Sequence, residues 1–205
     1  MTAEAQRKVT RRRPARRGEG DRLRDEIVLA ACALLNESGD PGTLSLRAVA
    51  RKTGVATTSI YLHFEDLTSL VRAVKSRWLD MLADEVEAAA SEAGDDPRKR
   101  VRAIAHAYVD AAMREPARYR VLFTAELTPP APGVPYLGVQ AYNSVLARVR
   151  QAVPEAEADM ITLQFWCGLH GLVTLRQARP KFPWPDLEGQ VDDLVTRLID
   201  SATHG

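Results

Sequence analysis

From Asp21 onward, apolar residues return every three or four positions and never settle into strand-like alternation, which restricts this chain to packed helices. The first stripe is Leu23, Ile27, Ala31, Leu34 and Leu35, stopped by Gly39 and Pro41. Short helices follow over 45–52 and 56–63, then a long one from Asp66 to about Ala93 with Leu67, Leu70, Val71, Val74, Trp78, Met81 and Leu82 on one stripe. Asp96-Pro97 starts the next helix, a capping carboxylate followed by a proline where no N–H is needed, and it runs to about Arg114. Pro116 opens a short helix, whereas Pro129, Pro130, Pro132, Gly133 and Pro135 make 128–138 a loop. Helices near 139–152 and 154–178 come next, and Pro180, Pro183 and Pro185 lead to a last helix striped by Leu187, Val191, Leu194, Val195 and Leu198. The expected fold is all-α, with about nine helices.

Charge separates the front of the chain from the rest. The chain has 205 residues and a net charge of +1, but residues 1–24 hold nine Lys or Arg against three acids. Residues 25–75 hold five bases against six acids, and the remainder is acidic. Residues 1–20, including Arg11, Arg12, Arg13, Arg16 and Arg17, are almost without apolar side chains and read as a disordered basic arm. Two readings stand for it, a solvated tail or a segment that contacts phosphates or a minor groove. No run approaches the roughly 20 apolar residues of a membrane span, and no secretory leader is visible, so a cytoplasmic protein without membrane partners is expected. Cys32 and Cys167 stand apart in apolar segments and read as free thiols.

The most informative stretch is Ser45 to Phe64. A helix pair crossing steeply over a tight turn needs a small residue where the backbones meet, supplied by Ala50. It needs positive φ at the turn, supplied by Gly54, and apolar residues to close a small core, supplied by Val49, Val55 and Ile60. Ser45 can cap the first of the two helices. This is the pattern of a helix-turn-helix, whose second helix enters the major groove of DNA.

Ala50 through Phe64, continued by Leu70 and Val74 and preceded by Ile27 to Gly39, resembles the signature of the TetR family of transcriptional regulators. The resemblance implies a three-helix DNA-binding head over 21–68 and a helical ligand-binding and dimerisation body over 69–205. It also implies base contacts from Arg47, Thr57, Thr58, Ser59 and Leu62, and phosphate contacts from Ser45, Tyr61 and His63, with the arm arginines in support. Two residues depart from the family pattern. Ala56 stands where the family commonly has a capping Ser, so Thr57 or Thr58 would have to substitute. Leu67 stands where the family commonly has a phosphate-binding Lys, which leaves backbone N–H groups and the helix dipole to hold a phosphate.

In the body, Phe165-Trp166-Cys167-Gly168-Leu169-His170-Gly171 resembles the Trp-His-Gly type of TetR C-terminal domain. The family's architecture implies a ligand pocket walled by Trp78, Tyr108, Met113, Phe123, Phe165 and Trp166, with His170 as a polar anchor; each residue taken singly also fits plain core. The 154–178 helix is apolar on two sides, one bearing Met160, Leu163, Cys167 and Thr174, the other Phe165, Gly168, Leu172 and Leu175. The family's interface implies that Gly168, Leu172, Leu175, Val191, Leu194 and Leu198 meet a second copy. Gly168 and Gly171 fit either close helix approach or room for a ligand.

The expected function is a dimeric repressor released from an inverted-repeat operator on double-stranded DNA by a small-molecule effector of unidentified structure. A ligand-independent or protein-regulated DNA-binding protein is the alternative. An enzyme using His106 or His170 as a base is a remote one, because no second catalytic group stands at recognisable spacing. No metal-ligand cluster and no cofactor motif is present, so neither a metal nor a cofactor is expected.

Overall fold

The computed structural model describes residues 19–123 and 136–203. These residues form nine α-helices: α1 (Glu19–Ser38), α2 (Leu46–Thr53), α3 (Thr57–Tyr61), α4 (Leu67–Glu92), α5 (Pro97–Arg114), α6 (Pro116–Phe123), α7 (Val139–Ala152), α8 (Glu155–Ala178) and α9 (Leu187–Thr203). The all-α expectation is met, with one addition. Pro41–Thr43 forms a single 3-10 turn, nucleated by the Asp40 carboxylate accepting from the Gly42 N–H at 2.8 Å. The predicted loop over 128–138 and the basic arm lie largely outside the described residues.

Caps set most helix boundaries. Asp96 accepts from the N–H groups of Arg98 and Lys99 ahead of Pro97. At α4, Asp66 accepts from the Ser69 N–H at 2.7 Å, while the Ser69 hydroxyl reaches back to the Asp66 N–H, a reciprocal capping box. That cap alters one expectation. A carboxylate already occupies this helix start and Glu65 stands beside it, so the end of α4 that Leu67 leaves without a cation disfavours a phosphate.

The apolar side chains separate into two cores. The N-terminal one joins Ile27, Leu35, Val49, Ile60, Phe64, Leu70 and Val74 and extends along α4 to Trp78. The second gathers residues of α4, α5 and α7 to α9, including Val101, Tyr108, Phe165, Leu169, Val173, Val191 and Val195. Helix α6 belongs to both: Tyr119 lies in the body core, whereas Val121, fully buried two residues later, lies in the N-terminal core. The Arg118 guanidinium stacks over Trp78 at 5.6 Å and pairs with Glu115 at 2.5 Å, fastening this joint from the α6 side.

Candidate nucleic-acid interface and effector site

Ser45 caps α2 by accepting from the Ala48 N–H at 3.2 Å, which leaves its own O–H free to donate outward. At the other end Gly54 takes φ +74°, and the Val55 N–H closes the turn on the Ala50 carbonyl at 3.0 Å. A side chain at Gly54 would meet nothing within 4 Å, so its requirement is conformational rather than steric. Val49, Ala50 and Ile60 are buried beneath the turn. The helix pair therefore sits rigidly on α1, and its opposite surface faces outward.

That outward surface carries Arg47, exposed and without an ion pair among the described residues, together with Thr58 and Tyr61. Thr57, Ser59 and His63 are half-buried. Leu62 is 82% exposed and stands at the C-cap, since α3 is shorter than the predicted 56–63 segment. Ala56 occupies the N-cap with no side-chain hydrogen bond, so neither Thr57 nor Thr58 replaces the missing cap. A Cβ placed on Gly20 would lie 4.0 Å from His63 Cε1, and the Arg24 guanidinium lies 5.0 Å over the Phe64 ring. The start of α1 thus adjoins the end of α3. Arg11, Arg12, Arg13, Arg16 and Arg17 lie outside the described residues.

In the body, a polar chain crosses an apolar core. The hydroxyls of Tyr108 on α5 and Tyr119 on α6 are 2.8 Å apart, and Tyr119 Oη is 2.6 Å from His170 Nδ1 on α8. Tyr108 Oη also lies 3.4 Å from the same His170 nitrogen. Phe123 packs on Tyr119 at 4.7 Å and edge-on against His170 at 4.6 Å. Burial pushes the Tyr108 hydroxyl up to about 12 and raises that of Tyr119 as well, so both remain neutral donors at physiological pH. Burial also lowers the pKa of His170, which favours the neutral imidazole.

Comparison with known proteins bears on both halves. Residues 101–202 match the family model of the tetracyclin repressor-like C-terminal domain. The chain is 29% identical over 178 residues to the uncharacterized HTH-type transcriptional regulator Rv0681 of Mycobacterium tuberculosis, covering 86% of this chain and 75% of that one. A solved structure of a protein with unknown function from Rhodococcus sp. RHA1 superposes with TM-score 0.68 at 27% identity, covering 87% of this chain and 92% of that one. A TetR family transcription regulator from Marinobacter aquaeolei VT8 shares the fold, with TM-score 0.62 at 19% identity and coverage of 91% and 98%.

The chain belongs to the TetR family. It is a DNA-binding transcriptional regulator. Family membership does not decide which body residues face which neighbour, and here the structure revises several expectations for this TetR-family chain. Trp78 is 2% exposed in the N-terminal core and lines a gap of about 20 Å³ shared with Arg118 and Tyr119. Met113 is 39% exposed and stands outside the aromatic cluster. Tyr119, absent from the expected pocket wall, is the central link of the polar chain; its position three residues after Pro116 on a short helix was the available signal. A larger cavity, about 160 Å³, lies elsewhere, between α4, α5 and α7, lined by Val86, Ile104, Ala141 and Val145 with Asp84 and Ser144.

The residues expected at a dimer face divide between the chain's own core and its surface. Val191 is fully buried inside the chain's own core, so it cannot meet a second copy. Gly168 serves the α8–α9 contact: a Cβ there would lie 2.8 Å from a Leu194 methyl. Leu172, Leu194 and Leu198 are partly buried against the same core. Of that set only Leu175 is well exposed, and the outward apolar face of α8 is instead Met160, Leu163, Trp166 and Cys167, continued by Leu175. His106, the other candidate base, is engaged with Asp192 at 2.9 Å beside Arg102, a contact that holds the Asp192 carboxyl below its usual range.

Proposed function

We propose that this regulator is a homodimeric repressor that grips an inverted repeat on double-stranded DNA and releases it when a small, largely apolar effector enters the body. The observation carrying the DNA half is the rigid turn at Gly54 beneath an exposed Arg47, Thr58, Tyr61 and Leu62. Arg47 then bridges guanine O6 and N7, and Thr57, Thr58 and Ser59 offer hydroxyls to base edges, while Leu62 meets a thymine methyl. Ser45, Tyr61 and His63 hold phosphates, and Arg11, Arg12, Arg13, Arg16 and Arg17 join the chain on the side where Gly20 meets His63. Residues 21–68 act as the head and 69–205 as the body, in the cytoplasm where the DNA is. Among the described residues no helix is long and apolar enough to cross a membrane.

Dimerisation follows from the α8 face, since Met160, Leu163 and Leu175 are 56%, 44% and 55% exposed on one helix and such a face is buried by a partner. Two heads then reach successive major grooves about one helical turn apart. Selection of operators from random duplex, followed by sedimentation of the free protein and of its complex, tests this reading. The expected result is a dimer on an inverted repeat. A monomer with no preference over random duplex overturns it.

A ligand-independent or protein-regulated repressor is the second reading. It is favoured by the tight packing of Tyr108, Tyr119 and His170 and by the gap beside Trp78, which has room for about one water. Trp166 fluorescence separates the two. A compound that displaces operator at the concentration that changes this emission supports the effector, and operator binding unaffected across a broad panel of small apolar compounds supports the alternative.

A further inference from the structure

We infer that the effector is held by a hydrogen bond from the His170 Nε2–H to an oxygen acceptor, a carbonyl or carboxylate, rather than by contacts suited to a cation or a bare hydrocarbon. The inference rests on the small-molecule release proposed above. It comes from counting hydrogens along the polar chain. The polar atoms of Tyr108, Tyr119 and His170 close a triangle, with the two hydroxyl oxygens 2.8 Å apart and His170 Nδ1 2.6 Å from Tyr119 Oη and 3.4 Å from Tyr108 Oη. Each tyrosine owns a single hydroxyl hydrogen and a neutral imidazole owns one N–H.

Two states of the imidazole are open. If Nδ1 accepts, one tyrosine donates to it and the other tyrosine donates to the first, with the imidazole hydrogen on Nε2. If Nδ1–H donates instead, the two tyrosines can use only one of their hydroxyl hydrogens between themselves, and the other has no acceptor among the described residues. That second state leaves a hydroxyl hydrogen of a side chain no more than 9% exposed without a partner, whereas the first satisfies every member. The arrangement of the three groups thus fixes His170 as the Nε2–H tautomer.

Every hydrogen bond that His170 makes among the described side chains runs to Nδ1, so Nε2–H is the unspent donor of the chain. It lies at an aromatic edge, since Phe123 meets the imidazole at 4.6 Å and the half-exposed Trp166 stands one turn earlier on α8 with Tyr142 against it at 6.3 Å. A donor set among aromatic rings selects a flat or apolar body carrying an acceptor. The same relay touches the head. Tyr119, which orients His170, shares α6 with Val121 of the N-terminal core, so strain on the imidazole is passed to the helix that supports the DNA-binding end.

The test uses the full chain with histidine labelled by ¹⁵N. Long-range proton–nitrogen spectra at neutral pH should show His170 neutral and protonated at Nε2. An Nδ1–H tautomer or an imidazolium overturns the proposal without any variant. Titration then compares acetophenone and benzoate with ethylbenzene, which has the same ring and no acceptor, and with benzylamine as the cation. Acetophenone or benzoate should bind roughly tenfold tighter than ethylbenzene and shift the Nε2 resonance, and the two separate carbonyl from carboxylate. His170→Phe should erase that preference, and His170→Gln, whose amide still donates, should keep part of it. Equal preference in wild type and His170→Phe, benzylamine as the tightest probe, or no binding by any probe overturns the proposal. If the acceptor preference appears while the operator complex is untouched, acceptor recognition stands and release by a small molecule falls.

Discussion

Helix α3 and helix α8 both turn side chains outward, but different ones. The five residues of α3 expose Thr58 and Tyr61, with Leu62 at the cap, and the neighbouring α2 adds Arg47. The twenty-four residues of α8 expose Met160, Leu163, Trp166 and Leu175. Polar and cationic groups over a rigid turn suit a partner read by hydrogen bonds and charge, as DNA is. An apolar face suits a partner that removes it from water. The same contrast holds inside. The N-terminal core packs apolar side chains around the one buried charged residue among the described ones, Lys75, while the body core tolerates a buried string of hydroxyls and an imidazole because each finds a partner. The head is thus built to hold one shape, whereas the body holds polar groups that depend on one another for their partners.

The largest expected effect strikes the head core. Ile60→Ala removes a fully buried side chain from the only apolar anchor of α3 in that core and should cost about 2–5 kcal/mol. Thermal melting should show the loss, and operator binding should fail before the body melts. If the melting curve is unchanged, α3 is not held by the core in the way argued here.

In the body, the matching change is one of space. Gly168→Val forces a side chain onto Leu194, where even a Cβ lies 2.8 Å from a methyl, and should destabilise by about 1–3 kcal/mol while loosening α9 from α8. Denaturant titration measures it. A null result would mean that Leu194 moves aside freely, and that the glycine answers to a partner or ligand instead.

On the polar side, Arg47→Ala should cost about 1–3 kcal/mol of operator affinity and relax the preference at one base pair per half-site. Tyr61→Phe should weaken all duplexes almost equally. Uniform loss across sequences in the Arg47 variant would reassign that residue to phosphate.

The smallest effect comes from a missing cap. Ala56→Ser gives α3 the side-chain acceptor it lacks and should stabilise the head by about 1 kcal/mol without changing the body. Melting of the variant against wild type checks it, and no gain would mean that the α3 N-terminus is already held by its neighbours.

Much of the head was legible because its signals are local. A positive-φ glycine, a small residue at a crossing and a capping serine each act within a few residues, so Ser45, Ala50 and Gly54 could be read from spacing and occur as expected. The body was legible in its helices but less so in its faces. Sequence recognised two apolar sides on α8, but a helix apolar all round has no single direction to betray which side is turned inward.

By itself, then, the sequence determined the helical content, the caps and the DNA-binding turn, because backbone conformation is decided by neighbours along the chain. Only the tertiary structure decided that Val191 and Leu194 serve the chain's own core while Met160 and Leu163 face outward, and that Tyr119 joins Tyr108 to His170 across three helices. Those outcomes depend on how helices distant in sequence cross, and the crossing is settled by the collective packing of side chains rather than by any short run of residues.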